Sequence, residues 1–339
     1  MINKYTIQKV SNILNLKVSN MQLYRDEEKG LIPQAERVKR GKVSVRMWSE
    51  DQLPTIGKHY NSVLKPDNLS CVIASVISNK GGVGKSTTAW NLARFSALRG
   101  LKTLCCGLEV GQKTITRLLE IEDTEPTSLD EIKDEKEYSL FDVAEKRKSI
   151  KDVIKNTSIP TLNYIPEHTN LTRLDSYLKD QYNAPKKFKA LFKDIIDDYD
   201  LIIFDNSAYM GSQLLINSLA IATDLIIPLG CDIESYKSSN DCFDLIDDVK
   251  QAMDLKWNSI SVVPTFKSNT NISAQVESYY RSSVENVTIN SIRKYEALAG
   301  ESSLNKLSVM EYDPKSKLAE DYTNLLSEIW DRIRNGEGA

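Results

Sequence analysis

The run Lys80-Gly81-Gly82-Val83-Gly84-Lys85-Ser86, followed by Thr87 and Thr88, sits between the apolar stretch CVIASVIS starting at residue 71 and an amphipathic stretch from about 85 to 99. Strand, glycine-rich loop, then helix is an order that leaves few folds open. Glycines let the main chain curl until its N–H groups face inward, and a helix beginning near Lys85 adds the positive end of its dipole. The product is a cradle for phosphate. Lys85 has the length to reach the β and γ phosphates of a nucleotide, and the Ser86 hydroxyl suits Mg2+. The general pattern GxxxxGK[ST] asks for glycine at position 79, where this chain has Asn79, so the motif begins instead at Lys80.

The rest of the chain supplies the sheet that such a loop requires. Short apolar, β-rich runs recur as LKTLCCGL from 101, LNYIP from 162, YDLIIFD from 199, DLIIPLG from 224 and SISVVPTF from 259, with helical patterns between most of them. Continuous apolar strands separated by helices indicate a parallel sheet covered on both faces. The expected fold is therefore α/β, a doubly wound, mostly parallel sheet. Residues 120 to 160 break the rhythm with many acids and few apolar clusters, and they are expected to form irregular and short helical structure.

A chain of 339 residues is long for one domain. The polar, Pro-containing segment NSVLKPDNLS marks a linker over 61–70, dividing a domain over 1–60 from one over 71–339. With no long apolar run and no signal-peptide pattern, the expected compartment is the cytoplasm. Five cysteines, odd in number and without CxxC spacing, argue against a disulfide framework or a zinc site and read as small buried hydrophobes.

Net charge is −3, yet residues 1–60 carry seven Lys and four Arg against six acids. A positive N-terminal module suits a phosphate backbone as partner. Within it, TIQKVSNILNL and KVSNMQLYRDEE form two amphipathic helical patterns around a tight Asn15-Leu16-Lys17 turn, with Ser19 and Asn20 able to cap the second. Such a pair is a helix-turn-helix whose second helix faces the major groove. A basic strip follows around Gly41, made of Arg37, Lys39, Arg40, Lys42 and Arg46, and reads as a β wing along phosphates. The DNA-contact candidates are Ser19, Asn20, Gln22, Tyr24 and Arg25 in the helix, with Arg37, Lys39, Arg40 and Lys42 in the wing.

KGGVGKST resembles the deviant Walker A motif of the ParA/MinD family of P-loop NTPases, and the resemblance extends over residues 71–339. Tyr199 to Asp205 looks like its Walker B strand, although Asn206-Ser207-Ala208 stands where the family usually has a Pro-Pro pair. Ala222 to Pro228 resembles the next core strand, and Glu311-Tyr312-Asp313-Pro314-Lys315-Ser316-Lys317 is close to a C-terminal stretch common in ParA proteins. The resemblance implies ATP and Mg2+ as cofactors, held by Lys80, Gly81, Gly82, Val83, Gly84, Lys85, Ser86 and Thr87, with Ser86 and Asp205 at the metal. It implies that Lys80 crosses a homodimer interface to the partner's nucleotide, so that ATP glues a sandwich dimer. Catalytic roles then fall to Lys80, Lys85, Glu109 and Asp205.

At the end of the second strand the family carries a D-x-D pair that orients the attacking water. Here the matching residues are Gly107-Leu108-Glu109: the second acid is retained as a longer Glu, and the first is lost. Displacing a carboxylate by about 1 Å costs roughly 10²-fold in rate, so slow hydrolysis is expected.

The N-terminal stretch, with Gly30-Leu31-Ile32-Pro33 and Arg46 to Leu53, resembles the winged-helix reader of MerR-like regulators. ATP-bound ParA proteins also coat DNA without sequence preference. Arg293 and Lys294, with Arg281, Lys315 and Lys317, are the candidates here. The implied whole is a nucleoid-associated partition ATPase that acts with a centromere-binding ParB-like partner and represses its own operon. The alternative is a nucleotide-sensing transcription regulator with little turnover. A MinD-like membrane role fits less well, because the tail Leu325 to Arg334 is amphipathic but mixed in charge and reads as a helix packed on the domain.

Overall fold

The structure, a computed structural model, describes residues 3–41, 43–60, 65–66, 69–121 and 138–336. Of the expected linker, only 65–66 and 69–70 are among them, and most of the acidic segment, 122–137, lies outside them.

Two sheets organise the described residues. The first joins β1 (Lys4–Thr6), β2 (Glu36–Arg40) and β3 (Val43–Ser49) in the antiparallel order β1-β3-β2. The second holds β4 (Val72–Val76), β5 (Thr103–Leu108), β6 (Lys155–Asn156), β7 (Leu162–Ile165), β8 (Leu201–Asn206), β9 (Asp224–Gly230) and β10 (Ser259–Thr265), in the order β10-β9-β4-β8-β5-β7-β6. Every neighbouring pair of this sheet is parallel except the polar edge strand β6 on β7. Strands β4, β5, β8 and β9 are buried along their whole length, as continuous apolar runs covered on both faces must be. The parallel strands therefore deliver their carboxyl ends to one rim, where ligands of open α/β sheets bind.

The N-terminal residues form α1 (Ile7–Ile13) and α2 (Asn20–Glu28), then the β2–β3 hairpin and α3 (Leu53–His59). Asn15 makes the turn between the helices at φ 51°, and Ser19 caps α2 by accepting from the Gln22 N–H at 3.2 Å. This unit does not stand apart from the large sheet. Tyr5, Val10, Ile13, Leu23, Trp48 and Leu53 share one apolar core with residues of α4 (Lys85–Ala97) and of the last helix, Lys317–Asn335.

A buried ionic cluster crosses the same contact. Arg94 of α4 donates to both oxygens of Glu311, at 2.6 and 2.8 Å, and to Glu50 at 3.0 Å, while the Tyr5 hydroxyl donates to Glu311 at 2.8 Å. Arg99 donates to the Ile13 carbonyl at 2.9 Å. The last helix turns Leu325, Leu326, Ile329, Trp330 and Ile333 inward, and Trp330 donates to Ser96 at 3.2 Å. The amphipathic tail is thus packed against the domain, and among the described residues no helix is long and apolar enough to cross a membrane.

Candidate functional site

The loop after β4 folds as its glycines require. Gly82 and Gly84 have φ of 77° and 89°, a conformation that a side chain would strain, and Gly84 turns the chain directly into α4. The loop is tied down from across the sheet, where Thr265 at the end of β10 donates to the Val83 carbonyl at 2.9 Å.

Lys85 is buried at the first position of α4, and its ammonium donates to the Lys80 carbonyl at 3.0 Å, closing the loop on itself. Burial pulls its pKa down, and the nearby Asp205 and Glu109 carboxylates oppose that shift. Phosphate oxygens would replace the carbonyl as its partners.

Asp205 lies on β8, level with Gly107 on β5, and neither of its buried oxygens has a hydrogen bond of normal geometry. Burial pushes its carboxyl up to about 8; Glu167 and Glu109 add to the rise, and Ser86 and Lys85 oppose it. A buried carboxylate without a well-formed hydrogen bond, close to a loop hydroxyl, is a seat for a hard cation with oxygen ligands, and so these residues fit Mg2+.

Glu109 stands one residue beyond β5 and is half-buried. Burial raises its pKa, Lys85 opposes this and Glu167 adds to it. The structure thus gathers Lys85, Glu109 and Asp205 around the loop that holds Ser86.

Lys80 points elsewhere. Its ammonium pairs with Asp232, just beyond β9, at 2.6 Å and donates to the Ser235 hydroxyl at 3.2 Å. Asp232 also caps the helix Ile233–Met253, and the two partners hold its carboxyl below the usual value against the effect of burial. Lys80, Gly81, Asp232, Ile272 and Lys294 line an open cleft of about 660 Å3 on this side. Beside Gly84 and Thr87, a smaller cavity of about 250 Å3 is walled by Phe266, Ile292, Tyr295 and Tyr322. Its largely apolar wall next to a phosphate cradle has the character of a base pocket, and no local motif in the sequence announces it.

The profile of a family described as an AAA domain matches residues 71–259. The chain belongs to the ParA/MinD-type partition ATPase family. Members of this family are ATPases. The chromosome partitioning protein ParA of Myxococcus xanthus (strain DK1622) is 28% identical over 277 residues, covering 77% of this chain and 88% of that protein. Protein SopA of Escherichia coli (strain K12) is 24% identical over 330 residues, covering 93% of this chain and 83% of SopA. In fold, the ATP complex of McdA from Cyanothece superposes with a TM-score of 0.64 at 19% identity, covering 79% of this chain and 97% of that one. Asn206, the residue after Asp205, ties strands together: its amide donates to Ser75 at 2.9 Å and to the Val76 carbonyl at 3.1 Å.

The residues proposed for DNA contact are more scattered. On α2, Asn20 donates to Gln8 at 3.2 Å, Gln22 donates to Asp26 at 2.8 Å, and the Arg46 guanidinium stacks 4.3 Å over the Tyr24 ring. Arg25, Arg37 and Lys39 are exposed. Arg40 ends β2, and Lys42 lies outside the described residues. Arg46 is drawn inward to Glu27 at 2.9 Å.

On the large domain, the Arg293 guanidinium is bound to Asp321 through three contacts of 3.0, 2.8 and 2.6 Å, and Arg281 is bound to Glu277 at 2.8 Å. Lys294 pairs with Glu296 at 3.1 Å, while Lys315 and Lys317 are exposed.

Proposed function

We propose that this chain is an ATP-dependent DNA-partition protein, plasmid or chromosomal, that binds ATP with Mg2+ and hydrolyses it slowly. The observation that carries this reading is the convergence of Lys85, Glu109 and the buried Asp205, whose oxygens lack a hydrogen bond of normal geometry, on a glycine loop, with a second lysine, Lys80, held by Asp232. Asp205 and Ser86 would hold the metal, which supplies charge neutralisation at the β and γ phosphates. Lys85 would bind those phosphates, and Glu109 would orient a water by accepting its proton. Lys80 leaves Asp232 when a second copy docks and reaches across to that copy's nucleotide, giving an ATP sandwich dimer.

The unit over 1–60 acts as a winged helix-turn-helix of MerR-like kind. It reads an operator through α2, with the exposed Arg25, Arg37 and Lys39 among the cations that face the DNA. SopA aligns over nearly the whole chain, which supports counting this unit as part of the function. In the ATP form the large domain also binds DNA without sequence preference through Lys294, Lys315 and Lys317. Arg293, held to Asp321 by several bonds, contributes less than Lys294, whose single pair with Glu296 is exposed. A ParB-like centromere-binding partner stimulates turnover, and the protein works in the cytoplasm on the nucleoid.

A plasmid-retention assay in cells lacking the gene tests the reading. The wild-type chain should restore inheritance and Lys85→Ala should not. Repression of the operon without restored inheritance would instead support a nucleotide-sensing regulator.

A further inference from the structure

The sheet order sets three carboxyl-terminal strand ends side by side, β8 with Asp205, β5 with Gly107, and β7 followed by Pro166 and Glu167. Gly107 is the position where the first acid of the D-x-D pair is missing, and its space is already taken. A Cβ built on Gly107 would lie 2.3 Å from the Glu167 Cδ, 2.5 Å from its Cγ and 2.7 Å from its Oε1. No side chain fits at 107 while Glu167 keeps its present position.

The Glu167 carboxylate is buried and fully engaged. It accepts from the Ile115 N–H at 2.8 Å, the Thr116 N–H at 2.8 Å and the Thr116 hydroxyl at 2.5 Å, and the Glu167 N–H donates back to Thr116 Oγ1 at 2.9 Å. These bonds clamp the start of the helix Thr114–Leu119 onto the strand beside β5. The segment that carries Glu109 is therefore anchored at both ends, by β5 before it and by this clamp after it. Glu167 is also close enough to Glu109 and Asp205 to raise the pKa of each.

We propose that Glu167 is the positioning residue for hydrolysis in this chain: reaching in from the neighbouring strand, it fills the space of the acid absent at Gly107 and holds the Glu109 loop in register with the phosphate cradle. It is not catalytic, because both its oxygens are committed to the loop. Gly107 and Glu167 form a reciprocal pair, in which the carboxylate has moved from one strand end to the next and glycine leaves the room for it. The proposal rests on the reading that this site hydrolyses ATP.

The test uses the full-length chain with Glu167→Ala, Glu167→Gln and the swap variant Gly107→Asp/Glu167→Ala. Each is measured for kcat, for affinity toward a non-hydrolysable ATP analogue with Mg2+, and for hydrogen exchange of the Ile115 and Thr116 amides without nucleotide. Glu167→Ala should lower kcat by roughly 10²-fold, the scale expected for an Ångström of misplacement, with analogue affinity kept within about 2-fold. Its two amides should exchange faster. Glu167→Gln, which keeps one acceptor and the fold, should fall between wild type and Glu167→Ala. The swap should recover much of the lost kcat by returning a carboxylate to the vacated space.

The proposal is overturned if Glu167→Gln and Glu167→Ala turn over at the wild-type rate. It is also overturned if kcat and analogue affinity fall together, or if the swap is no faster than Glu167→Ala. A wild-type chain without any turnover removes the hydrolytic reading itself, and the proposal with it.

Discussion

Replacing Arg94 by methionine tests whether the N-terminal unit is joined to the large domain through a charged core. The Arg94 side chain is 3% exposed, with Glu311 at 2.6 Å and Glu50 at 3.0 Å, and those carboxylates are 0% and 1% exposed. Burial alone would lower the arginine's pKa, but the Glu311 and Glu50 charges outweigh it and raise the value. Arg94→Met leaves two buried carboxylates without a cation. Removing one member of a buried ion pair costs about 3–5 kcal/mol, a large part of the 5–15 kcal/mol typical of a whole domain.

Urea unfolding followed by tryptophan fluorescence reads the loss directly, since Trp48 and Trp90 both lie in this core. The charge-free triple variant, Arg94→Met with Glu50→Gln and Glu311→Gln, should regain most of the lost stability, because no unpaired charge remains. A loss below about 1 kcal/mol for Arg94→Met, or a triple variant no more stable than the single one, would refute the reasoning.

The same cluster predicts a pH dependence. Arg94 holds the Glu311 carboxyl below the usual glutamate value despite burial, so its contribution is complete above about pH 4.3 and is lost as pH falls through the lower folded value. Acid titration of Glu311→Gln should show a flatter stability curve than wild type over that window. Asp232→Asn keeps a helix cap but weakens the Lys80 pair, so ATP-analogue dimerisation, followed by light scattering, should become easier while stability changes by less than about 1 kcal/mol. In the N-terminal unit, Arg37→Ala with Lys39→Ala should weaken operator binding and reduce the salt slope by about 1 for each lost phosphate contact, measured by fluorescence titration.

Much of the large domain is legible because its strands are buried on both faces and so appear as unbroken apolar runs; each run expected to form a strand contains one of the parallel strands. The exception is β6, two polar residues at the sheet edge that no hydrophobic pattern marks. The phosphate loop and Asp205 are legible for a related reason, since the loop comes after the strand β4 and Asp205 sits at the carboxyl end of β8. Glu167 is not, because its meaning depends on Gly107, sixty residues earlier in the chain and adjacent only once β5 and β7 pair. Asp232 is hidden in the same way: Lys80 reads as a free cation until β9 brings its partner alongside. Arg94 reads as one charge in a helix, one turn after Trp90, and its two acids come from widely separated parts of the chain. A polar stretch such as 61–70 carries no information about the apolar core shared by residues on either side of it.

In the proposed function, a loop closes around a nucleoside triphosphate so that two copies clasp each other. Light scattering of the purified full-length protein with a non-hydrolysable ATP analogue, with and without Mg2+, measures this most directly. The expected result is a dimer that requires both the analogue and Mg2+ and is abolished by Lys85→Ala and by Lys80→Ala. A wild-type chain that stays monomeric and shows no Mg2+-dependent affinity for the analogue would contradict it.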